Sequence, residues 1–243
     1  MDVCRAMAQR GEPEDIVVVA DAQTAGRGRA GRVWFSPPGQ ALYLSILLRP
    51  KLAPRHMTWL MMMGALAVID ALQNSASRME SPVTWHHAAL AIEWPNDVLL
   101  GGKKLAGVLV ETSLTGETLD YAILGIGLNI NTRFDDAPPE VRERATSLRT
   151  VTGSDSADLD RDVMMGALLV AFETRYAQLP SSPVADYVRH LDTLGKRVRL
   201  SAGDDVIEGV ATRVDEDGAL VVLTITGERV VRFGDVVDSQ RAS

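Results

Sequence analysis

The sequence predicts an α+β fold: a mixed β-sheet packed with helices, followed by a small all-β unit. Three observations carry that reading. Short β-branched or apolar runs recur through the N-terminal half, two long segments repeat apolar residues at helical spacing, and beyond Gly195 the chain divides into short strands between Gly/Asp turns.

Ile16-Val17-Val18-Val19-Ala20 is the first strand, and residues 42–48 (LYLSILL) are the second. Trp59, Met62, Met63, Leu66 and Ile69 share one helical face, so residues 58–74 form a helix, and the Met61-Met62-Met63 run fills irregular core gaps. Ala91-Ile92-Glu93-Trp94 and residues 105–111, 121–124 and 127–130 are further strands, joined by turns such as Leu100-Gly101-Gly102-Lys103. The polar stretch 150–160 is a linker ending in a helix-start signal, after which Met165, Leu168, Leu169, Phe172 and Tyr176 mark an amphipathic helix over 160–178. Strands at 198–200, 206–213, 220–224 and 230–233 lie between turns at Ala202-Gly203-Asp204, Asp217-Gly218 and Thr226-Gly227, which predicts a small β-barrel. The expected domains are therefore 1–190 and 195–243. No internal repeat of solenoid length is present.

With 243 residues, 46% of them hydrophobic, the chain can bury a sizeable core, and disordered, collagen-like or coiled-coil architectures are excluded. Its 32 acidic against 25 basic residues give a net charge of -7, which argues against a surface built mainly to neutralise nucleic-acid phosphates, although a local basic cluster can still do so. Cys4 stands alone, so it has no intramolecular disulfide partner and is too little for a Cys-based zinc site; this points to a reducing, cytoplasmic location. The N-terminus lacks a secretory pattern, and the apolar stretch at 60–67 falls short of the about 20 residues that span a bilayer.

The strongest local feature is Gln23-Thr24-Ala25-Gly26-Arg27-Gly28-Arg29-Ala30-Gly31-Arg32-Val33-Trp34. Its glycines let backbone approach a ligand closely, and Arg27, Arg29 and Arg32 offer planar forks suited to carboxylate or phosphate. A solvated segment that binds RNA loosely is the competing reading, and the residues alone leave both open. Trp34 and the following Ser36-Pro37-Pro38-Gly39 favour an ordered loop. Trp94-Pro95-Asn96-Asp97 ends a strand, where Asn96 and Asp97 serve either as turn residues or as site residues. Lys104, at the head of Leu105-Ala106-Gly107, is either a solvated strand end or a cation aimed into a site beside a glycine that leaves room for a ligand. The glycines of Gly125-Ile126-Gly127-Leu128-Asn129 fit packing and ligand approach equally well.

Taken in order, Gln23 to Gly31 with Trp34, then Trp94-Pro95-Asn96-Asp97, Lys104-Leu105-Ala106-Gly107 and Gly125-Ile126-Gly127-Leu128-Asn129 resemble the signatures of biotin protein ligases, along nearly the whole chain. The terminal β unit resembles that family's SH3-like C-terminal barrel. The resemblance implies a two-step reaction: biotin and Mg-ATP give biotinyl-5'-AMP and pyrophosphate, and the biotinyl group then passes to a lysine of a carboxylase's biotin carboxyl carrier domain. Cations are needed in the first step because carboxylate and phosphate repel, and loop closure shields the mixed anhydride from water.

On this resemblance Lys104 and Arg27 are the catalytic groups, with Lys104 bridging the biotin carboxylate and the α-phosphate. Gln23, Arg27, Gly28, Arg29, Lys104, Gly107 and Gly127 form the biotin site, Gln23 near the head group and the last two glycines as a floor without side chains. Arg29, Arg32, Trp34, Asn96 and Asn129 form the nucleotide site, with the protein ligands of any metal unknown. Asp97 is a candidate to orient or deprotonate the acceptor lysine.

Two departures stand out. Glu93 precedes Trp94 where the family usually has Lys, and the chain opens at Met1-Asp2-Val3 where a Ser-Thr pair usually precedes the first helix, which predicts weakened biotin binding. The resemblance also implies a monofunctional enzyme without a DNA-binding domain or membrane association, and leaves homodimerisation open. The competing readings are a lipoate or octanoate ligase or transferase of the same fold, a nucleic-acid-binding module, and a pseudoenzyme.

Overall fold

The computed structural model describes residues 1–76, 90–152, 158–203 and 205–241. Residues 153–157 of the predicted linker and Asp204 of the predicted turn lie outside them.

A six-stranded sheet forms the centre, in the order β1–β2–β6–β5–β4–β3, from β1 (Ile16–Ala20), β2 (Leu42–Leu48), β3 (Leu90–Glu93), β4 (Asp97–Leu100), β5 (Lys103–Thr115) and β6 (Thr118–Leu128). Its ladders are all antiparallel, and among the described residues parallel pairing is confined to the isolated bridges Ile92–Leu191 and Lys104–Ala145. The predicted strands 121–124 and 127–130 merge into β6, which ends at Leu128 and leaves Asn129 and Ile130 beyond it. Gly125 and Gly127 do not interrupt it, because their backbones stay in the ladder opposite Leu109 and Gly107. Asp97–Leu100, for which the sequence reading named no strand, forms β4 and closes a hairpin onto β3.

Helix α2 (Thr58–Ala76) covers one face of this sheet, and α5 (Arg161–Tyr176) packs along α2 in the same layer. Leu44, Ile46, Val108, Leu124 and Ile126 point towards them, and Leu60, Met62, Met63, Leu66 and Ile69 of α2 are fully or nearly fully buried. The methionine run is thus core for Met62 and Met63. The helix approaches the sheet closely at Gly64, where a Cβ would come within 2.8 Å of Val108 Cγ1. Asp160 caps α5 by accepting from the backbone N–H groups of Asp162 and Val163. On the opposite face, α1 (Asp2–Gln9) packs Cys4 and Ala8 against Leu47, Tyr121 and Ile123. The short helices α3 (Pro139–Arg144), α4 (Leu148–Thr152) and α6 (Val184–His190) connect these layers.

The C-terminal strands β7 (Lys196–Ala202), β8 (Asp205–Val214), β9 (Leu220–Thr224), β10 (Gly227–Val231) and β11 (Asp235–Arg241) form an antiparallel sheet in the order β10–β9–β8–β7–β11. This corrects the predicted barrel: the sheet is not closed, since among the described residues no ladder joins β10 to β11. Strand β11 escaped the sequence reading because DVVDSQR lacks apolar alternation and carries a bulge between Val236 and Asp238. The β8–β9 turn rests on α2: Trp59 Nε1 donates to Glu216 O at 3.0 Å, and Thr58 Oγ1 donates to Asp217 O. The two sheets consequently share one hydrophobic cluster. Among the described residues no helix is long and apolar enough to cross a membrane.

Candidate active site

Strand alternation determines where the site forms. On β6 the residues facing away from α2 are Tyr121, Ile123, Gly125 and Gly127; the first two pack on α1, and the two glycines leave a hollow. Gly127 lies between Tyr43 of β2 and Gly107 of β5. The resulting cavity has a volume of ≈ 650 Å³ and reaches from Met1, Val18 and Ser45 across the glycines to Lys104, Glu93 and Asp235. This volume suits a small molecule with some polar partners.

The Gly/Arg segment is an ordered, hairpin-like loop over that hollow. Trp34 N donates to Gly26 O at 3.0 Å and Gly28 N to Arg32 O at 2.8 Å, and Arg27 bridges to Val33. Ala30 and Gly31 turn its tip with φ of 51° and 74°. Gly26 is required by the closure itself, since a Cβ there would lie 2.4 Å from Trp34 O.

Trp34 lies on the glycine floor. A Cβ on either Gly107 or Gly127 would come within 2.7 Å of its ring, so only glycine lets the indole settle there. Lys104 Nζ lies 5.1 Å from the ring centroid, a cation–π arrangement, and Trp34 Nε1 is buried without a hydrogen-bond partner among the described residues. In this structure Trp34 itself covers the floor that the resemblance gives to biotin.

Lys104 follows the Gly101-Gly102 turn, and a bulge between Val98 and Leu99 sets it opposite Leu99 while Asp97 faces Gly107. Its Nζ pairs with Asp97 Oδ2 at 2.6 Å; Asp97 Oδ1 is buried and accepts no hydrogen bond from the described residues. The turn that carries Asp97 is held from three sides. Tyr187 Oη donates to Pro95 O at 2.8 Å, Trp94 N donates to Thr193 Oγ1 at 2.9 Å, and Trp94 Nε1 donates to Gly218 O at 3.3 Å. Complete burial pushes the Tyr187 phenol far above its ordinary range, so it stays a donor. Asn96 Nδ2 donates to Val108 O at 2.7 Å, leaving Oδ1 to accept from Arg29 Nη1 at 3.4 Å.

The three arginines diverge. Arg29 is 17% exposed in its side chain, and burial pushes its guanidinium below the usual value, opposed by Asp235 at 3.7 Å. Arg32 Nη2 is 2.8 Å from the other Asp235 oxygen. Arg27 instead turns to Asp2 Oδ1 at 2.8 Å and Glu111 Oε1 at 3.5 Å, acidic groups that it shares with Arg5. Gln23 and Asn129 line the same cavity, Gln23 Nε2 donating to Ser36 Oγ at 3.4 Å and Asn129 Oδ1 accepting from Thr132 Oγ1 at 3.2 Å. At the far end Met1 Sδ lies 3.0 Å from where a Gly125 Cβ would stand.

Every residue assigned from sequence lines this one cavity. Asp235 and Arg144 are cavity residues that the sequence reading missed. Asp235 reaches the loop only through the C-terminal sheet, and Arg144, on α3, places Nη2 3.7 Å from Glu93 Oε2. Neither sits in a local pattern that marks it. Burial, then the neighbouring Asp97, push the Glu93 carboxyl up, against the opposing effects of Arg144, Lys104 and Lys196. Among the described residues no group of three or more His, Cys, Asp or Glu forms a metal cage.

Comparison with known proteins agrees with this geometry. Residues 5–129 match the Biotin/lipoate A/B protein ligase family, and residues 193–237 match the Biotin protein ligase C terminal domain. A biotin--[acetyl-CoA-carboxylase] ligase of Mycobacterium tuberculosis is 35% identical over 243 residues, covering 97% of this chain and 84% of that protein. A ligase of the same name from Paracoccus denitrificans is 32% identical, covering 90% of this chain and 88% of its own length. Among solved structures, the biotin protein ligase of Aquifex aeolicus in complex with biotin and ATP superposes with a TM-score of 0.76 at 30% identity, covering 98% of this chain and 94% of that one. The chain belongs to the biotin/lipoate A/B protein ligase family and carries a biotin protein ligase C-terminal domain.

Proposed function

We propose that the chain activates biotin with ATP and transfers it to a lysine of a carboxylase's biotin carboxyl carrier domain. The observation that carries this reading is the placement of Lys104: its ammonium sits at the edge of a glycine-floored cavity, beneath an aromatic lid and near two arginines brought in by a glycine-rich loop. The C-terminal domain match favours the biotin reading over the lipoate one.

In the first step a biotin carboxylate oxygen attacks the α-phosphorus of ATP and pyrophosphate leaves. Lys104 neutralises both anions as they meet, with Asp97 fixing its ammonium, while Arg29 and Arg32 offset charge on the phosphates. Trp34 leaves the glycine floor and closes over the biotin side chain or the adenine, shielding the adenylate from water. Gln23 pairs with the polar head group, whose burial without partners would be costly. Asn96 and Asn129 orient the nucleotide, and Mg2+ enters with ATP as part of the substrate. Arg27, in the ion cluster with Asp2 and Glu111, anchors the loop and reaches the biotin carboxylate only when that cluster opens. Residues 1–190 form the catalytic unit and 195–243 a second unit that supports the nucleotide side through Asp235.

In the second step the carrier lysine's amine attacks the acyl carbon and AMP departs. The protein acts in the cytoplasm, where its substrates and carrier reside. Biotin-dependent exchange of labelled pyrophosphate into ATP tests the first step, and incorporation of biotin into a carrier domain tests the second.

A further inference from the structure

We propose that Glu93 accepts the proton from the attacking lysine in the transfer step, and that Asp97 Oδ1 then receives a hydrogen bond from the protonated Glu93. The assignment rests on the ligase reading above. Nothing in the resemblance gives this residue such a role.

Glu93 ends β3 and faces Asp97 directly across the β3–β4 ladder, which places the two Cβ atoms about 4.5–5.5 Å apart on one side of the hairpin. Both line the cavity. Among the cavity's carboxylates that are not exposed, Asp97 is committed to Lys104 at 2.6 Å and Asp235 to Arg32 at 2.8 Å. Glu93 is held more loosely, by Arg144 at 3.7 Å, whose side chain is 60% exposed. It is therefore the inner carboxylate that can change protonation without breaking a close ion pair.

Asp97 Oδ1 supplies the complementary observation. It is buried and accepts no hydrogen bond from the described residues, a costly condition for a carboxylate oxygen unless a donor arrives during function. A protonated Glu93 has one O–H to donate. The groups facing Glu93 are Asp97 from β4, Lys104 from β5, Arg144 from α3 and Lys196 from β7. Desolvation and Asp97 outweigh the three cations, so the carboxyl holds a proton more tightly than a free glutamate. That moves it towards the range useful for proton transfer near neutrality.

In the step itself the lysine nitrogen bonds to the acyl carbon of biotinyl-AMP, and the acyl C–O bond to phosphate breaks with its electron pair leaving on AMP. The amine's proton passes to a Glu93 oxygen. No oxidant or reductant is involved.

The test is single-turnover transfer from preformed adenylate to a carrier domain across pH, alongside adenylate formation from biotin and ATP. For Glu93→Gln the ratio of transfer rate to adenylation rate falls by about 10²-fold and the acid limb of the transfer profile is lost. Glu93→Asp keeps part of the transfer rate and an acid limb. Arg144→Ala shifts that limb to higher pH, because the carboxylate loses a cation that favours its charged form. An unchanged ratio and acid limb in Glu93→Gln, or an equal loss of both half-reactions, overturns the assignment while leaving the ligase reading in place. A wild-type protein that forms no adenylate overturns both.

Discussion

Arg32 Nη2 stands 2.8 Å from Asp235 Oδ2, and this contact ties the glycine-rich loop over the cavity to the first residue of the last strand. Asp235 also faces Arg29 at 3.7 Å, so one nearly buried carboxylate holds two cations of the loop. The C-terminal sheet thereby takes part in the site without lying on its floor. Asp235→Asn keeps the shape and removes the charge. The expected outcome is a KM for ATP raised about fivefold, in keeping with about 1 kcal/mol for a partly exposed charged hydrogen bond, with the KM for biotin little changed. Asp235→Glu restores part of the loss, and steady-state kinetics with each substrate varied separately checks both.

Gly127 is the position where the smallest substitution changes the site most. A methyl group there would stand 2.7 Å from Trp34 Cε2, and the indole cannot settle without moving. Gly127→Ala is expected to weaken biotin binding about tenfold, from the 1–3 kcal/mol range of overpacking. Calorimetric titration measures the affinity, and a change in tryptophan emission without ligand reports the displaced Trp34.

The hydroxyl of Tyr187 supports the Trp94–Asp97 turn from outside the cavity. In Tyr187→Phe the Pro95 carbonyl loses its donor in a fully buried place, which costs about 1–3 kcal/mol. Denaturant unfolding should show a lower midpoint at unchanged slope, because the surface exposed on unfolding stays the same.

Glu93 makes stability depend on pH with a defined sign. Its folded carboxyl is raised above the unfolded value, so its contribution is fully present below the ordinary glutamate range and is lost as pH rises through the folded value. Glu93→Gln has no such loss. Its stability relative to wild type is expected to grow between about pH 4 and neutrality, measured by denaturant unfolding at several pH values. A difference that stays constant or shrinks contradicts the desolvated placement of Glu93.

Local pattern carried most of the fold. The apolar spacing over 58–74 and 160–178 becomes α2 and α5, and the β-branched run at 16–20 becomes an edge strand. Two kinds of error have physical causes. Gly125-Ile126 reads as a break between strands because sequence alone does not show that a ladder can run through glycine when it is paired with a strand on each side. The barrel was expected from turn spacing, but closure depends on whether β10 and β11 meet, a long-range fact absent from any turn. In the site, Arg29, Trp34, Asn96 and Lys104 were legible because each lies in a dense local motif. Asp235 and Arg144 were not, because only the tertiary fold brings their carboxylate and guanidinium to the cavity.

In the proposed function Lys104 brings biotin and ATP together. Exchange of labelled pyrophosphate into ATP, dependent on biotin, measures that step for wild type and Lys104→Ala. Wild type is expected to support exchange, and the variant to lose at least about 10²-fold, the scale for removing one charge-stabilising donor from such a site. No exchange by wild type, or full exchange by the variant, contradicts this role of Lys104.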